Sequence, residues 1–151
     1  MRIKELGHVV LYVTDIEKLS SFYRDTLGFS EVGRMQLGPK SGAVAFSSGR
    51  THHEMLLIEV GGEAERSPVP KPGLYHVGFK VADSHEELHE VYTELHAKGV
   101  PILGMSDHTV THSIYIEDPD GNELELYADV TDAWKAHPEL VMALIKPLRF
   151  D

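Results

Sequence analysis

Residues 6–15, LGHVVLYVTD, return in altered form as residues 74–83, LYHVGFKVAD, and in both copies a histidine stands seven positions before an aspartate. A polar stretch with helical spacing follows each aspartate. Such a repeat restricts the chain to a duplicated strand-to-helix unit, with His8 and His76 at equivalent positions of two equivalent strands.

The first copy predicts a strand over residues 7–14 with His8, Val10 and Tyr12 on one face. Asp15 is suited to cap the next helix, along which Leu19, Phe22, Tyr23 and Leu27 recur at helical spacing until Gly28 stops it. Strand-like stretches then cover residues 30–36, 42–48 and 53–60. The order is β-α-β-β-β. Residues 61–73 hold Gly61, Gly62, Pro68, Pro70, Pro72 and Gly73, a composition that interrupts any central strand and reads as a linker.

Beyond the linker the order restarts. A strand is predicted over residues 74–81, then a helix opened by Ser84 and Glu87 as a capping box, carrying Leu88, Val91, Tyr92 and Leu95 on one face and ended by Gly99. Strands follow over residues 100–105, 112–117 and 123–128, with Asp118 to Gly121 as a turn. Residues 130–151 carry Trp134, Leu140, Met142, Leu144 and Ile145 and suggest a short helical tail. One domain over residues 1–151 is expected, divided into modules 1–66 and 67–129 and a tail 130–151.

The 151 residues are enough to bury a core without covalent staples. Zero cysteines exclude disulfides, thiolate metal sites and thiol nucleophiles, so any bound metal must use histidine, carboxylate and water. A formal charge of −10 argues against nucleic acid as a partner. The N-terminal sequence lacks the apolar core of a secretion signal, and no apolar run approaches a membrane span. A cytoplasmic protein without a membrane partner is expected.

Among ten histidines, only position distinguishes candidates for function. The duplication pairs His8 with His76, and Glu123 and Glu125 share a face of the final strand of the second unit. Two imidazoles and one carboxylate leave several positions of a metal open, which suits chemistry more than structural stapling. Strand periodicity alone does not decide between Glu123 and Glu125.

The segment DHTVTHSIYIEDPDGNELELY, residues 107–127, resembles the signature of the vicinal oxygen chelate superfamily: a histidine, a short spacer, an aliphatic-Tyr pair, Asp-Pro-x-Gly and then Glu. It departs from that signature at Ser106, where Gly or Asn is usual. Within the superfamily the chain is most similar to single-domain type I extradiol dioxygenases of the catechol 2,3-dioxygenase kind, and the resemblance runs to about Asp129. It implies an α+β fold of two tandem βαβββ modules forming an open, curved, mixed β-sheet. It further implies His8, His76 and Glu125 as ligands of Fe(II), or of Mn(II) in some members. His53 matches the family's acid/base histidine, and His108 and Tyr115 its pair of hydrogen-bonding residues. His52 is expected on the opposite side of the strand from His53, and His112 matches no family role. The implied reactants are a small aromatic diol and dioxygen, in aromatic catabolism.

Three other activities share the fold. Glyoxalase I and methylmalonyl-CoA epimerase carry a fourth ligand on the last strand of the first module, where this chain has Leu57, with Glu59 on the same face. Fosfomycin-modifying thiol transferases need phosphonate-binding groups that this chain lacks at Val10 and after Glu125. Bleomycin-resistance modules bind a drug without a complete metal triad. A chain with a single module pair is short for the dioxygenases, and self-association into a homodimer is expected to cover its sheet edges.

Overall fold

Alternating exposure along the first strand, with Leu11 and Val13 buried and Val10 and Tyr12 exposed, divides the polar face from the core as the sequence pattern requires. The computed structural model describes residues 2–39, 41–62 and 72–150. They form two compact units, Met1–Lys71 and Pro72–Asp151. The boundary expected between residues 66 and 67, and the linker prolines Pro68 and Pro70, lie outside the described residues.

In the first unit, β1 (Val9–Val13) leads into α1 (Ile16–Ser21), then β2 (Ser30–Gly38), β3 (Ser41–Ser47) and β4 (Met55–Glu59). Asp15 caps α1 as expected, its carboxylate accepting from the Glu17 and Lys18 amides at 3.0 Å. The predicted single helix to Gly28 instead changes character at Phe22, where residues Phe22–Thr26 widen into a π-helical turn. The sheet order is β1-β4-β3-β2, with β1 parallel to β4 and the other pairs antiparallel. Tyr23, Phe46, Leu19, Met55 and Leu57 fill the core between helix and sheet.

The second unit repeats this plan. It contains β5 (His76–Ala82), α2 (His85–Ala97), β6 (Ile102–Asp107), β7 (Thr111–Glu117) and β8 (Glu123–Asp129), and its sheet runs β5-β8-β7-β6 with β5 parallel to β8. The Ser84 hydroxyl accepts from the Glu87 amide, while Glu87 reaches back to the Asp83 amide, one residue earlier than the usual reciprocal partner. Gly99 ends α2 at φ +69°, a backbone conformation that side chains oppose. Leu88, Ile114, Ile116, Leu124 and Leu126 are fully buried between α2 and the sheet. Both units are therefore α+β modules of βαβββ order built on mixed sheets.

The tail is not the short helix expected from its apolar spacing. It makes two 3-10 turns, Ala133–Lys135 and Pro138–Met142, and then β9 (Lys146–Pro147), which pairs antiparallel with β6. Proline at the first turn position and the brevity of each apolar run prevent a longer helix. Phe150 then stacks on His89 of α2, with ring centroids 5.0 Å apart and planes 9° apart.

Leu126 is 1% exposed, so Leu126→Ala is expected to destabilise the protein by about 2–5 kcal/mol. The check is a lower denaturant midpoint at unchanged slope.

Candidate metal centre

The turn between β7 and β8 sets the position of the carboxylates that follow it. Asp118 is 4% exposed, and its carboxylate accepts from the Asp120 amide, the Asn122 amide and the Asn122 side chain, while Gly121 takes φ +73°. This closes the DPDGN turn and brings β8 back with Tyr115 directly opposite Glu125 and Gly78 beside Glu125 on the other flank. An added Cβ at Gly78 would lie 3.6 Å from Glu125 Oε2 and from the Tyr127 ring, so a longer side chain would cover the carboxylate.

Glu125 is the most constrained acid of the face. Its Oε1 accepts from the Ser113 hydroxyl at 2.6 Å and from the Tyr115 hydroxyl at 3.2 Å, and its Oε2 stands 3.2 Å from His76 Nε2. Ser113 was not among the residues singled out from the sequence. Period-two spacing from Tyr115 places it on the same face, and that was the available signal. Glu123 does other work: its Oε1 lies 3.4 Å from His76 Nδ1, and the Tyr75 phenol hydrogen-bonds to it. That hydrogen bond is the main reason why the Tyr75 pKa is raised. His76 Nδ1 is buried and makes no hydrogen bond.

His108 sits above this group on a strained turn. Thr109 takes φ +73°, unusual for a β-branched residue, while its amide donates to Asp107 Oδ1 at 2.6 Å and the His108 amide to Thr111 O at 2.9 Å. The result places His108 Nε2 2.8 Å from the Tyr115 hydroxyl. Tyr115 has one hydrogen, and when it is directed to Glu125, His108 must donate from Nε2. Burial, then the charge of Glu125 and the hydrogen bond to it, push the Tyr115 pKa up to about 12. The phenol is a neutral donor at any physiological pH.

In the first unit, His8 is exposed immediately before β1, and its ring lies 4.5 Å from that of His53. His52 and His53 both precede β4, and their Nδ1 atoms are 2.6 Å apart. The expectation that His52 faces away from His53 is thus corrected. Glu54 accepts from the Ser48 and Thr51 amides and holds these residues in a loop, so strand alternation begins only at Met55. Loss of water around His53, together with the His52 and His8 rings, lowers its pKa and favours the neutral imidazole. His112 points to the helix side of the second sheet, its Nδ1 2.9 Å from that of His85.

The ladders also correct the position proposed for a fourth ligand. Gly78 pairs with Glu125 and the equivalent Val10 pairs with Leu56, so Leu56, not Leu57, is the counterpart of Glu125. Leu57 is fully buried, and Glu59 on its face accepts from the Ile16 amide at 3.2 Å. Neither offers a ligand.

The donor set fits a divalent cation. Two neighbouring ligands bound at about 2.1 Å lie about 3 Å apart, close to the His76 Nε2 to Glu125 Oε2 separation, and Ser113 and Tyr115 hold Oε1 so that Oε2 is presented. Among the described residues no three histidine or carboxylate side chains are gathered as a complete ligand set. No described helix is long and apolar enough to cross a membrane.

The model of the Glyoxalase/Bleomycin resistance protein/Dioxygenase superfamily matches residues 5–126. The chain belongs to this superfamily. It is similar to the catechol-2,3-dioxygenase of Bacillus subtilis (strain 168), with 31% identity over 82% of this chain and 41% of that protein. It is also similar to biphenyl-2,3-diol 1,2-dioxygenase 3 of Rhodococcus globerulus, with 32% identity over 82% of this chain and 63% of that protein. The chain therefore spans less than two thirds of either relative. Among solved structures, the glyoxalase I of Leishmania major shares the fold at a TM-score of 0.68 and 20% identity, covering 91% of this chain and 96% of that one.

Raising the folded-state pKa of a phenol means that the unfolded chain ionises first, so the contribution of Tyr115 to stability is present below pH about 10 and lost as pH rises towards about 12. Tyr75 and Tyr127 are also shifted upwards, so spectrophotometric titration should show several late-ionising tyrosines, of which the latest is lost in Tyr115→Phe. Asp118→Ala is expected to cost about 1–3 kcal/mol by leaving three donors of the turn unpaired. Chemical denaturation reads that loss directly.

Proposed function

We propose that the protein is an extradiol ring-cleavage dioxygenase, inserting both atoms of dioxygen into a catechol-type substrate as the ring bond beside the two hydroxyls breaks. The observation that carries this reading is the Glu125 group: one carboxylate oxygen fixed by Ser113 and Tyr115, the other turned to His76, and His108 bonded to the same phenol. The similarity to enzymes named for catechol and biphenyl-2,3-diol oxygenation supports it.

His8, His76 and Glu125 are the proposed ligands of one Fe(II), with Mn(II) as the alternative. When bound, that cation would supply a Lewis-acidic template that favours the ionised diol and brings it together with dioxygen. Glu123 is the proposed acceptor for the other nitrogen of His76, which stands 3.4 Å from it and makes no hydrogen bond as it lies. His53 is the proposed base: its lowered pKa leaves the imidazole neutral and able to take a proton from a substrate hydroxyl, then return it as an acid. His108 and Tyr115 are the proposed donors to negative charge on oxygen: when the Tyr115 hydrogen turns from Glu125 Oε1, which Ser113 still holds, to a substrate oxygen, His108 continues to donate to the phenol and the proton stays on Tyr115. A homodimer belongs to the same proposal and is read by sedimentation.

The decisive experiment is anaerobic Fe(II) loading followed by exposure to a panel of catechols, with oxygen uptake and the yellow ring-opened product as readouts. Absence of uptake across the panel would move the assignment to the isomerase, lyase or thiol-transferase chemistry of the same superfamily. Glu125→Ala is expected to abolish stoichiometric iron by metal analysis. His53→Phe should keep iron while turnover falls by about 10²–10⁴-fold, and full activity in that variant removes the acid/base role.

A further inference from the structure

We infer that the tail selects the substrate's ring substituent: Trp134 and Val141 form an apolar wall that accepts an uncharged hydrocarbon group and rejects a carboxylate. This rests on the extradiol reading of the same site. A cavity of about 360 Å³ opens over His76, Tyr115 and Glu125 and is bounded by Val110, Trp134 and Val141. Trp134 is 39% exposed and Val141 55% exposed, so apolar surface stands open beside the polar group that would hold the diol. Open apolar surface continuous with convergent polar groups is the usual construction of a small-molecule site, in which the polar groups orient and the apolar wall binds.

Charge decides which substituents fit. Among the described residues lining this cavity there is no lysine or arginine, while Glu125 and Asp129 are both present. The neighbouring cations Lys80 and Lys135 line an adjoining recess that shares Asp129 and Trp134 with this cavity, Lys135 Nζ standing 5.9 Å from the Trp134 ring centroid, and both lysines are already ion-paired. Lys80 Nζ lies 2.6 Å from Asp83 and 3.0 Å from Asp129, and Lys135 Nζ lies 3.1 Å from Asp132. A carboxylate pushed against Val141 and Trp134 would lose water, compete with aspartates for lysines already ion-paired, and stand near the Glu125 and Asp129 carboxylates. An alkyl or aryl group there loses only unfavourable hydration.

Trp134 is the single tryptophan of the chain, so its emission reports on the wall itself. Titration with 4-tert-butylcatechol and with 3,4-dihydroxybenzoate, on the metal-free protein and on the anaerobic Fe(II)-loaded protein, compares one diol with two substituents. Saturable quenching by 4-tert-butylcatechol at an affinity about tenfold or more above that for 3,4-dihydroxybenzoate is expected. Val141→Arg should narrow or reverse that ratio. Val141→Ser, which adds no charge, should weaken the alkyl catechol severalfold without strengthening the acid, and it carries the test if the arginine variant does not fold. Equal affinities, no binding of either compound, or a ratio unmoved by both substitutions overturns the inference. So does an emission change that follows protein concentration instead of ligand, which would make the wall a contact between copies. Binding with the expected preference but no oxygen uptake by the iron-loaded protein overturns the dioxygenase reading and leaves the selectivity of the wall intact.

Discussion

The parallel pairing of β5 with β8 is the constraint on which the second unit's chemistry depends. It sets Gly78 against Glu125 and His76 against Glu123, so one imidazole is flanked by two carboxylates with different duties. A one-residue slip would turn every side chain of β8 to the opposite face and bury the acids against α2. The register is secured by the Asp118 turn at one end and by Leu124, Leu126 and Ala128 packed beneath the strand.

Duplication supplies two such parallel pairs, and divergence has used them differently. In the first unit the place of Glu125 is taken by Leu56, and the polar function moves to the loop before β4, where His52 and His53 gather beside His8. In the second unit the acids stay on the strand and histidine enters from the β6–β7 turn as His108. Each unit thus presents a distinct part of the proposed acid, base and ligand set. Neutral His53 and un-ionised Tyr115 owe their protonation states partly to loss of water, a property of packing more than of residue type.

Much of this was legible in the chain because it follows from short-range rules. Asp15 and Ser84 cap their helices, Gly99 and Gly121 take left-handed backbone where punctuation was expected, and the two βαβββ orders follow the repeat. What escaped has a common cause in interactions between residues with no periodic signature. The π-helical turn after Ser21 retains helical spacing of its apolar residues, so spacing alone cannot distinguish it from an α-helix. The loop that joins His52 to His53 depends on where the Glu54 carboxylate finds amides. Ser113 has an obvious face but no obvious partner until Glu125 is opposite the neighbouring residue. Strand β9 has two residues, one of them proline, too few for any alternation.

That two-residue strand links properties that usually vary independently. Lys146 and Pro147 shield the outer edge of β6, and the proline has no amide to offer an incoming chain. The same tail, a few residues earlier, supplies Trp134 and Val141 to the cavity. Change of the cavity through this segment is therefore tied to colloidal behaviour: an insertion that remodels the wall also shifts the seal, and lineages altering it would risk exposing a strand able to template aggregation.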